Sequence, residues 1–367
     1  MKIHCSKDDL SRGVATIQAA LSARTTLPIL HNFLMETENT KVKVVSTDLE
    51  MGVKHYIAAE VAGDGSITIP AKKFADILHS LPDGEDVDLT VDVGGKVLLK
   101  CGRVRFNIIG APKSEYPVLP EFIKQNAFEM AADDVREMVE KTLFATSTDE
   151  TRHVLNGVYW TARKGQLDMV ATDGRRLAFI SKKAIPVDRD FQVIVPAKVL
   201  GELERLLNAA KASGNMLVSV TDNQISFQFQ ETTLISRLVS GSFPNYQQLF
   251  QGKKEVVVTL GTQELLATTR RAALCTLDRG GSVRITLHKG AMQVQSSSQT
   301  LEFNDEIAVD YSGPEFKIAF NPQFMADAIK HVDSEKLTIS FTTPVLPTLV
   351  EPVGGGDYRF VIMPMRA

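Results

Sequence analysis

The sequence has few cysteines, one tryptophan, no long apolar run and no marked excess of one charge sign. Cys5, Cys101 and Cys275 are far apart and form no Cys-x-x-Cys pair, which argues against a disulfide framework or a zinc site and indicates reduced thiols. No window approaches about 18 consecutive apolar residues, so we predict no membrane-spanning helix. Residues 1–13 lack the apolar core of a signal peptide, and we therefore expect a cytoplasmic protein.

The composition is that of an ordinary globular protein. Among 367 residues, 44% are hydrophobic and 23% are charged, and 41 Lys+Arg stand against 44 Asp+Glu for a net charge of −3. This length predicts two or three domains with a substantial core. The slightly acidic balance does not favour nucleic-acid binding, because phosphate contact requires clustered Lys and Arg.

Catalytic signatures are also missing. The sequence contains no GxxxxGK(S/T) phosphate-binding loop, no GxGxxG, no HExxH zinc motif and no GxSxG nucleophile elbow. The seven histidines share no metal-ligand spacing. We therefore expect no enzymatic activity, no cofactor and no metal site.

What the chain does contain is a threefold repeat. Pro70, Pro196 and Pro322 are spaced 126 residues apart, and each stands where a strand pattern changes to a helix pattern. Proline suits such a position, since its fixed φ and missing N–H cost little at the start of a helix. Repeats of this length predict three similar domains, which we place at residues 1–125, 126–253 and 254–367.

Two helices are predicted in each third. The second helix follows the proline, and the first is an amphipathic segment with Asp or Thr as its N-cap. In the central third, Val135, Met138, Val139, Thr142 and Leu143 form one apolar stripe at helical spacing. The three first helices are predicted over Asp8–Leu21, Asp133–Ala145 and Thr262–Leu274.

Between the helices the pattern changes to β-branched residues with a period of two. The predicted strands are Lys41–Ser46, Val87–Val93, Lys96–Cys101, Arg103–Ile109, Leu217–Val220, Gln224–Gln228, Leu234–Val239, Val283–Leu287, Leu337–Phe341 and Tyr358–Ile362. We therefore predict an α+β fold in which each domain combines antiparallel sheets with two helices.

Two aspartates occupy equivalent positions in the repeat. The pairs Thr47-Asp48 and Thr172-Asp173 are 125 residues apart. Asp48 and Asp173 could serve a metal-dependent nuclease, but nothing else in the chain supplies a metal partner. We favour the interpretation that each carboxylate caps a turn.

Three short segments carry a family resemblance. They are Val170–Ala178 (VATDGRRLA), Ser242–Tyr246 (SFPNY) and Val361–Arg366 (VIMPMR). Together they resemble the bacterial β sliding clamp family, the processivity subunits of DNA polymerase III. The resemblance extends over essentially the whole chain, including its length and its three-part repeat.

The resemblance implies a DNA-clamp fold and a head-to-tail homodimer that closes into a six-domain ring around double-stranded DNA, without sequence preference. The implied partners are the clamp loader, the DNA polymerase III catalytic subunit, and other polymerases and repair proteins that bind through a short hydrophobic peptide. No cofactor and no membrane are implied. A ring that slides along DNA does not require tight contacts with phosphates. Encirclement of DNA is therefore compatible with a net charge of −3.

The resemblance also implies that the helices line the hole. The helical segments 6–24, 71–79, 131–152, 197–211, 262–279 and 322–331 contain 15 basic and 14 acidic residues, against 26 and 30 in the remaining chain. The candidate DNA-facing residues are Arg24, Lys72, Lys73, Lys141, Arg152, Lys198, Arg205, Arg270, Arg271 and Lys330. Asp149, His153 and Val154 depart from the polar or aromatic residues that are frequent in the family.

A partner-peptide pocket is implied as well. The residues of this chain at the positions of the family's pocket are Leu155, Thr172, Gly174, Arg175, Arg176, Leu177, Pro244, Leu249, Val345, Val361, Met363, Pro364 and Met365. Methionine is adaptable and suits a pocket with several ligands, and Gly174 allows close backbone approach. We expect Arg176 to hold a peptide carboxylate or carbonyl. Gln247 and Gln248 replace a basic residue that is common in the family, so we expect a shifted peptide preference.

The implied ring seam joins the first domain of one chain to the third domain of the other. Its residues are Lys73, Arg103, Arg105 and Phe106 on one side and Ala273, Leu274, Glu302 and Glu306 on the other. Basic groups then face acidic ones around the apolar Phe106 and Leu274. Ala273 is smaller than the branched residue common in the family, which we expect to loosen the seam.

Two other functions stay open at this point. A β-rich peptide-binding adaptor would use the same pocket without forming a ring, and it would be monomeric. A nuclease that uses Asp48 and Asp173 would cleave DNA in the presence of magnesium and would lose that activity in Asp173→Asn.

Overall fold

The structure, a computed structural model, describes residues 1–21, 25–251, 254–276 and 281–365. The described residues contain six α-helices: α1 (Lys7–Ile17), α2 (Ala71–Ser80), α3 (Ala132–Leu143), α4 (Ala197–Ala209), α5 (Thr262–Ala273) and α6 (Pro322–Lys330). Each helix follows a strand directly or after one residue, so this junction occurs twice in each third of the chain. The predicted threefold repeat is therefore present in the element order.

The strands are more numerous than predicted. In the described residues they are β1 (Lys2–Ser6), β2 (Asn32–Glu38), β3 (Lys41–Thr47), β4 (Met51–Ala58), β5 (Glu60–Gly63), β6 (Ser66–Pro70), β7 (Asp86–Val91), β8 (Lys96–Cys101), β9 (Val104–Ile109), β10 (Ala127–Ala131), β11 (Gly157–Arg163), β12 (Gln166–Thr172), β13 (Arg176–Lys183), β14 (Phe191–Pro196), β15 (Asn215–Val220), β16 (Gln224–Phe229), β17 (Thr232–Arg237), β18 (Val256–Gly261), β19 (Val283–His288), β20 (Ala291–Ser297), β21 (Glu302–Ala308), β22 (Phe316–Phe320), β23 (Lys336–Phe341), β24 (Thr348–Pro352) and β25 (Tyr358–Ile362). Each of the ten predicted strands overlaps one of these.

The chain divides into two compact units, each with two sheets. Unit 1, Met1–Asp133 with Gly201–Leu238, contains the sheets β5-β1-β7-β8-β9 and β10-β15-β16-β17-β4-β3-β2-β6. Unit 2, Asp134–Leu200 with Val239–Ala367, contains the sheets β14-β11-β12-β13-β25-β24-β23-β18 and β21-β20-β19-β22. Neighbouring strands in these sheets are antiparallel, which confirms the α+β class. Each unit takes strands from two neighbouring thirds, and the domain boundaries after residues 125 and 253 stay a prediction.

The helix caps differ from those predicted. Ser6 caps α1, and its hydroxyl accepts the amides of Asp8 at 3.2 Å and Asp9 at 3.5 Å. Asp133 lies inside α3, and Thr262, the first residue of α5, donates its hydroxyl to the Ser334 carbonyl at 2.7 Å. The prediction of Asp or Thr caps is therefore wrong: Asp8 and Asp9 instead occupy the first turn of α1, where their charge favours the positive end of the helix dipole.

The apolar stripe of α3 faces the core as predicted. Val135, Met138, Val139 and Thr142 are buried, whereas Leu143 is half-buried. The three cysteines are buried too, and burial raises the pKa of the Cys5 thiol to about 12, so it behaves as a small apolar residue. In the described ranges, no helix is long and apolar enough to cross a membrane.

Candidate functional site

The turn between β12 and β13 is fixed by the side chains of its own residues. Asp173 Oδ1 accepts the amides of Arg175 at 2.8 Å and Arg176 at 3.0 Å. Thr172 Oγ1 donates to the Arg176 carbonyl at 2.6 Å and accepts the Gly174 amide at 3.1 Å. Gly174 has a φ of +86°, where a side chain would be strained. Four of the predicted pocket residues therefore sit on a rigid turn.

The same turn recurs in the other thirds. Between β3 and β4, Asp48 Oδ1 accepts the amides of Glu50 at 3.0 Å and Met51 at 2.8 Å. Between β20 and β21, Ser298 Oγ accepts the amide of Leu301 at 3.1 Å. Asp48 and Asp173 are therefore turn caps, which confirms the interpretation favoured above. Within the described part of the chain, no three His, Cys, Asp or Glu side chains are grouped to hold a metal ion.

An apolar cluster begins where this turn ends. Its buried members are Val170, Leu177, Tyr246 and Val361, and the partly buried side chains packed against them are Tyr159, Phe179, Phe243, Leu249, Phe250 and Leu349. The rings of Tyr159 and Phe243 stack with centroids 4.8 Å apart and planes 2° apart. Partly buried aromatic rings leave apolar surface within reach of a ligand.

The last described residues run beside the turn. The Met363 amide donates to the Arg175 carbonyl at 2.8 Å, and the Met365 amide donates to the Ala319 carbonyl at 2.7 Å. Met363, Pro364 and Met365 are half-buried. Arg366, which ends the VIMPMR segment, lies outside the described residues. The terminal methionines are thus fixed through their backbone while their side chains stay accessible.

Arg176 has partners within the chain. Its Nε donates to Asp173 Oδ2 at 3.0 Å, and a second guanidinium nitrogen donates to Asp327 of α6. The guanidinium lies 4.7 Å from the centroid of the Phe324 ring. Two carboxylates already compensate this charge, and Arg176 thereby links the turn to α6, while its contact with a peptide carboxylate or carbonyl stays a prediction. Arg175, by contrast, is exposed at the same turn.

The other predicted pocket residues are distributed around the turn and the cluster. Leu177, Val361 and Leu249 lie in the cluster. Val345, which is 70% exposed, and Met365 line a groove that continues away from the turn. These contacts bring together residues far apart in the sequence.

Two predicted pocket residues lie outside these groups, and several residues of the site are not in the predicted set. Leu155 is 7% exposed and Pro244 is exposed on a loop. The residues outside the predicted set are Phe243 and Tyr246 in the cluster, then Val170, Tyr159, Phe179, Phe250 and Leu349 in the same cluster, and Phe324 and Asp327 beside Arg176. The SFPNY segment was the available signal for the first two. Phe324 and Asp327, three residues apart on α6, carried no signal of their own.

Eight of the ten predicted DNA-facing residues are exposed. They are Lys72, Lys73, Arg152, Lys198, Arg205, Arg270, Arg271 and Lys330. Several have acidic partners: Arg205 Nε lies 2.7 Å from Glu202, and Arg271 lies 2.6 Å from Asp305. The hydrogen bond that Arg271 donates lowers the pKa of Asp305. Beside Arg152, the hydrogen bond that Thr151 donates lowers the pKa of Asp149. Arg24 lies outside the described residues.

Lys141 is a correction to the predicted set. It is 1% exposed, and its ammonium donates to the His331 carbonyl at 2.7 Å and pairs with Asp333 at 2.6 Å. The ammonium also lies 4.7 Å from the centroid of the Tyr358 ring. A buried ammonium with these partners cannot meet a DNA phosphate, and we remove Lys141 from the set.

Four of the eight predicted seam residues lie on strands at the edges of sheets, whereas Lys73 lies on α2, Arg103 in the turn before β9, Ala273 at the end of α5 and Leu274 directly after it. β9, with Arg105 and Phe106, ends the five-stranded sheet of unit 1, and β21, with Glu302 and Glu306, ends the four-stranded sheet of unit 2. Lys73, Arg103, Arg105, Glu302 and Glu306 are exposed, Phe106 and Ala273 are half-buried, and Leu274 is 61% exposed. Edge strands carry unpaired backbone groups that can pair with another chain.

Comparison with known proteins follows the same division into thirds. The family models for the N-terminal, central and C-terminal domains of the DNA polymerase III beta subunit match residues 1–120, 129–245 and 247–366. The beta sliding clamp of Pseudomonas aeruginosa is 30% identical over 100% of both chains, and that of Staphylococcus aureus is 31% identical over 95% of this chain and 94% of its own.

Solved structures agree with the sequence relatives. The DNA polymerase sliding clamp from Bacillus subtilis superposes with a TM-score of 0.95 at 28% identity, covering 100% of this chain and 99% of its own. These matches confirm the DNA-clamp fold of three similar domains. The chain therefore belongs to the bacterial DNA polymerase III β subunit family, the β sliding clamps.

Proposed function

We propose that two copies of this chain join head to tail into a ring that encircles duplex DNA and tethers replication proteins to it without catalysing a reaction. Each copy contributes three domains, at residues 1–125, 126–253 and 254–367. Membership in the sliding clamp family supports this function. The observation that carries the ring is a pair of sheet edges, β9 and β21, with charges of opposite sign.

The two edges complement each other residue by residue. In β21, Glu302, Asn304 and Glu306 alternate with Phe303 and Asp305, so the two glutamates share one exposed face. In β9, Arg105 is exposed while Phe106 is half-buried, which gives the same alternation with one basic residue, and the exposed Arg103 precedes the strand. Pairing β9 of one copy with β21 of the other would join two sheets and bring opposite charges across the strands.

The partner site is the apolar cluster with the turn at Thr172–Arg176 and the terminal methionines. We propose that it binds the short hydrophobic peptide of the DNA polymerase III catalytic subunit, of the clamp loader, and of other polymerases and repair proteins. A few apolar anchors favour micromolar affinity for one peptide. Because the sequence has no phosphate-binding loop, ATP-driven opening of the ring belongs to the separate clamp loader.

Retention on DNA tests the ring directly. The protein is loaded onto nicked circular DNA by a matching clamp loader, and bound protein is measured before and after the circle is linearised. A topological ring predicts stable retention on the circle and loss after linearisation. Retention on linear DNA would contradict encirclement, and failure to load with a competent loader, together with a monomeric mass, would favour a peptide-binding adaptor.

A further inference from the structure

One face of the sheet β21-β20-β19-β22 carries a groove of about 590 Å³. Its floor consists of two rows of cross-strand neighbours, since residues two apart in a strand share a face. The rows are Lys317–Thr286–Gln293 and Ala319–Arg284–Gln295. Val345 and Met365 also line it, and both belong to the proposed peptide site. A segment that leaves that site can therefore continue along this groove.

The chemistry of the groove is polar and basic. Arg284 is exposed, and the described residues provide no carboxylate within 4.0 Å of it. Lys317, the other cation of the groove, already pairs with Glu315 at 2.7 Å, and His288 Nε2 lies 4.0 Å from Glu306. The guanidinium of Arg284 is thus available for a carboxylate, which it can bind through two parallel hydrogen bonds.

The edge of β22 gives the groove a direction. β22 is the last strand of its sheet, and the Ala319 carbonyl accepts the Met365 amide at 2.7 Å. Ala319 therefore directs its backbone groups away from β19, and Lys317, two residues earlier, directs its own to the same side. An extended segment already runs along part of this edge, and the open part can accept another.

We propose that this groove binds an acidic, extended segment adjoining the hydrophobic clamp-binding peptide of a partner protein, with a carboxylate on Arg284. The inference rests on the proposed function, because the apolar peptide must first occupy its own site. Partners with acidic flanks would then bind more tightly than partners that share the same apolar motif but have neutral flanks. Partners that compete for the same peptide site would thus differ in affinity according to the charge of the segment that adjoins their peptide.

Fluorescence anisotropy with labelled peptides tests this. The probes are the clamp-binding peptide of the cognate polymerase III catalytic subunit, the same peptide with Gly-Glu-Gly-Glu at either end, and matched versions with Gly-Gln-Gly-Gln. We expect one acidic extension to tighten binding about 3- to 10-fold relative to its neutral counterpart. Arg284→Gln should abolish that gain without changing the affinity for the unextended peptide.

Charge reversal and a neighbouring lysine provide the controls. Arg284→Glu should prefer a Gly-Lys-Gly-Lys extension, and Lys289→Gln, an exposed cation outside the groove lining, should keep the wild-type preference. Equal binding of acidic and neutral extensions, or a gain that persists in Arg284→Gln, would overturn the inference while leaving the peptide site intact. Failure of the unextended peptide to bind would instead overturn the proposed peptide site.

Discussion

Asp173 serves two structural purposes with one carboxylate. Its Oδ1 accepts two backbone amides of the turn, and its Oδ2 accepts Nε of Arg176. Asp48 makes the same two amide bonds in the first third, where Met51 occupies the position that corresponds to Arg176. The two turns therefore share the cap, whereas the ion pair with the side chain three residues later is formed by Asp173.

Replacing each aspartate measures the two effects. Asp48→Ala removes the two cap bonds of its turn, and the loss of this cap should cost about 1 kcal/mol of unfolding free energy. Asp173→Ala also removes a partner of the half-buried Arg176 and should cost about 2–3 kcal/mol, with weaker binding of the clamp peptide. Urea unfolding and peptide anisotropy give both quantities. Equal costs for the two variants, with peptide affinity unchanged, would contradict a positioning role for Arg176.

Lys141 has a structural role that its residue type conceals. Lys141→Met should keep most of the packing, lose the bonds to His331 and Asp333, and cost about 1–3 kcal/mol of stability. It should leave the salt dependence of binding to a labelled linear duplex unchanged. Lys72→Ala, a control at an exposed position, should leave the stability unchanged. The slope of log K for DNA binding against log salt concentration should become smaller by about 0.9, because one phosphate contact is lost. A changed salt slope in Lys141→Met would return this residue to the DNA-facing set.

At the scale of elements, periodicity explains which parts of the fold were predictable. β7 and β8 alternate between exposed and buried residues, and this period of two predicts both strands. β11 contains Val158, Trp160, Thr161 and Ala162 buried on both of its faces, so it has no period-two pattern, and it was missed. The six strand–helix junctions were predictable at their prolines and amphipathic helices, whereas the caps were not.

The candidate site shows a similar division. Its turn and terminal methionines were predictable because each is a contiguous motif with a family resemblance. The contact between Arg176 and Asp327 joins residues 151 positions apart, and no local pattern indicates it. The third copy of the turn was also missed, because Ser298 replaces the aspartate of the other two while making the same kind of bond.

The junction between α6 and the segment after α3 should be sensitive to pH. The His331 ring stacks on Phe144 with centroids 4.3 Å apart, and Nδ1 lies 2.7 Å from the Asp327 carbonyl, to which it donates. Burial lowers the pKa of His331, despite the opposing effects of that bond and of Glu140. The unfolded chain therefore binds the proton more readily, and stability should fall as pH decreases through about 6.5.

Comparison of His331→Phe with wild type isolates this effect. Phenylalanine keeps the stacked ring and cannot be protonated, so the variant should lose less stability between pH 7.5 and pH 5.5 on urea unfolding. His55, whose pKa is also lowered by burial, should leave a residual pH dependence in the variant. An identical loss in both proteins would show that His331 does not contribute.

At the scale of the whole molecule, the two sheet edges of the proposed seam, β9 and β21, differ in charge and are not copies of one self-complementary edge. β9 carries arginine and β21 carries glutamate, so a seam between unlike edges leaves one of each for the next copy. In the proposed dimer, two copies would close a ring through two identical seams. An edge that paired with its own equivalent would instead bring like charges together.

Charge reversal distinguishes these arrangements. Arg103→Glu/Arg105→Glu and Glu302→Lys/Glu306→Lys should each be monomeric at micromolar concentration in sedimentation velocity, because like charges meet at both seams. An equimolar mixture should form heterodimers, since one seam then has reversed complementary charges and the other is wild type. If each variant is monomeric and the mixture stays monomeric, the seam between unlike edges is wrong.

The burial of Lys141 also makes it an internal reporter of motion. An amine-reactive reagent modifies exposed lysines such as Lys72 immediately, whereas the Lys141 amine can react only after its surroundings open. The rate of acylation at this one position, followed by mass spectrometry of peptides, would therefore record how often the packing between α3 and α6 loosens. Acylation of Lys141 therefore measures the rate of local opening in the folded protein. A bound partner peptide that stabilises the neighbouring turn at Thr172–Arg176 should slow this acylation.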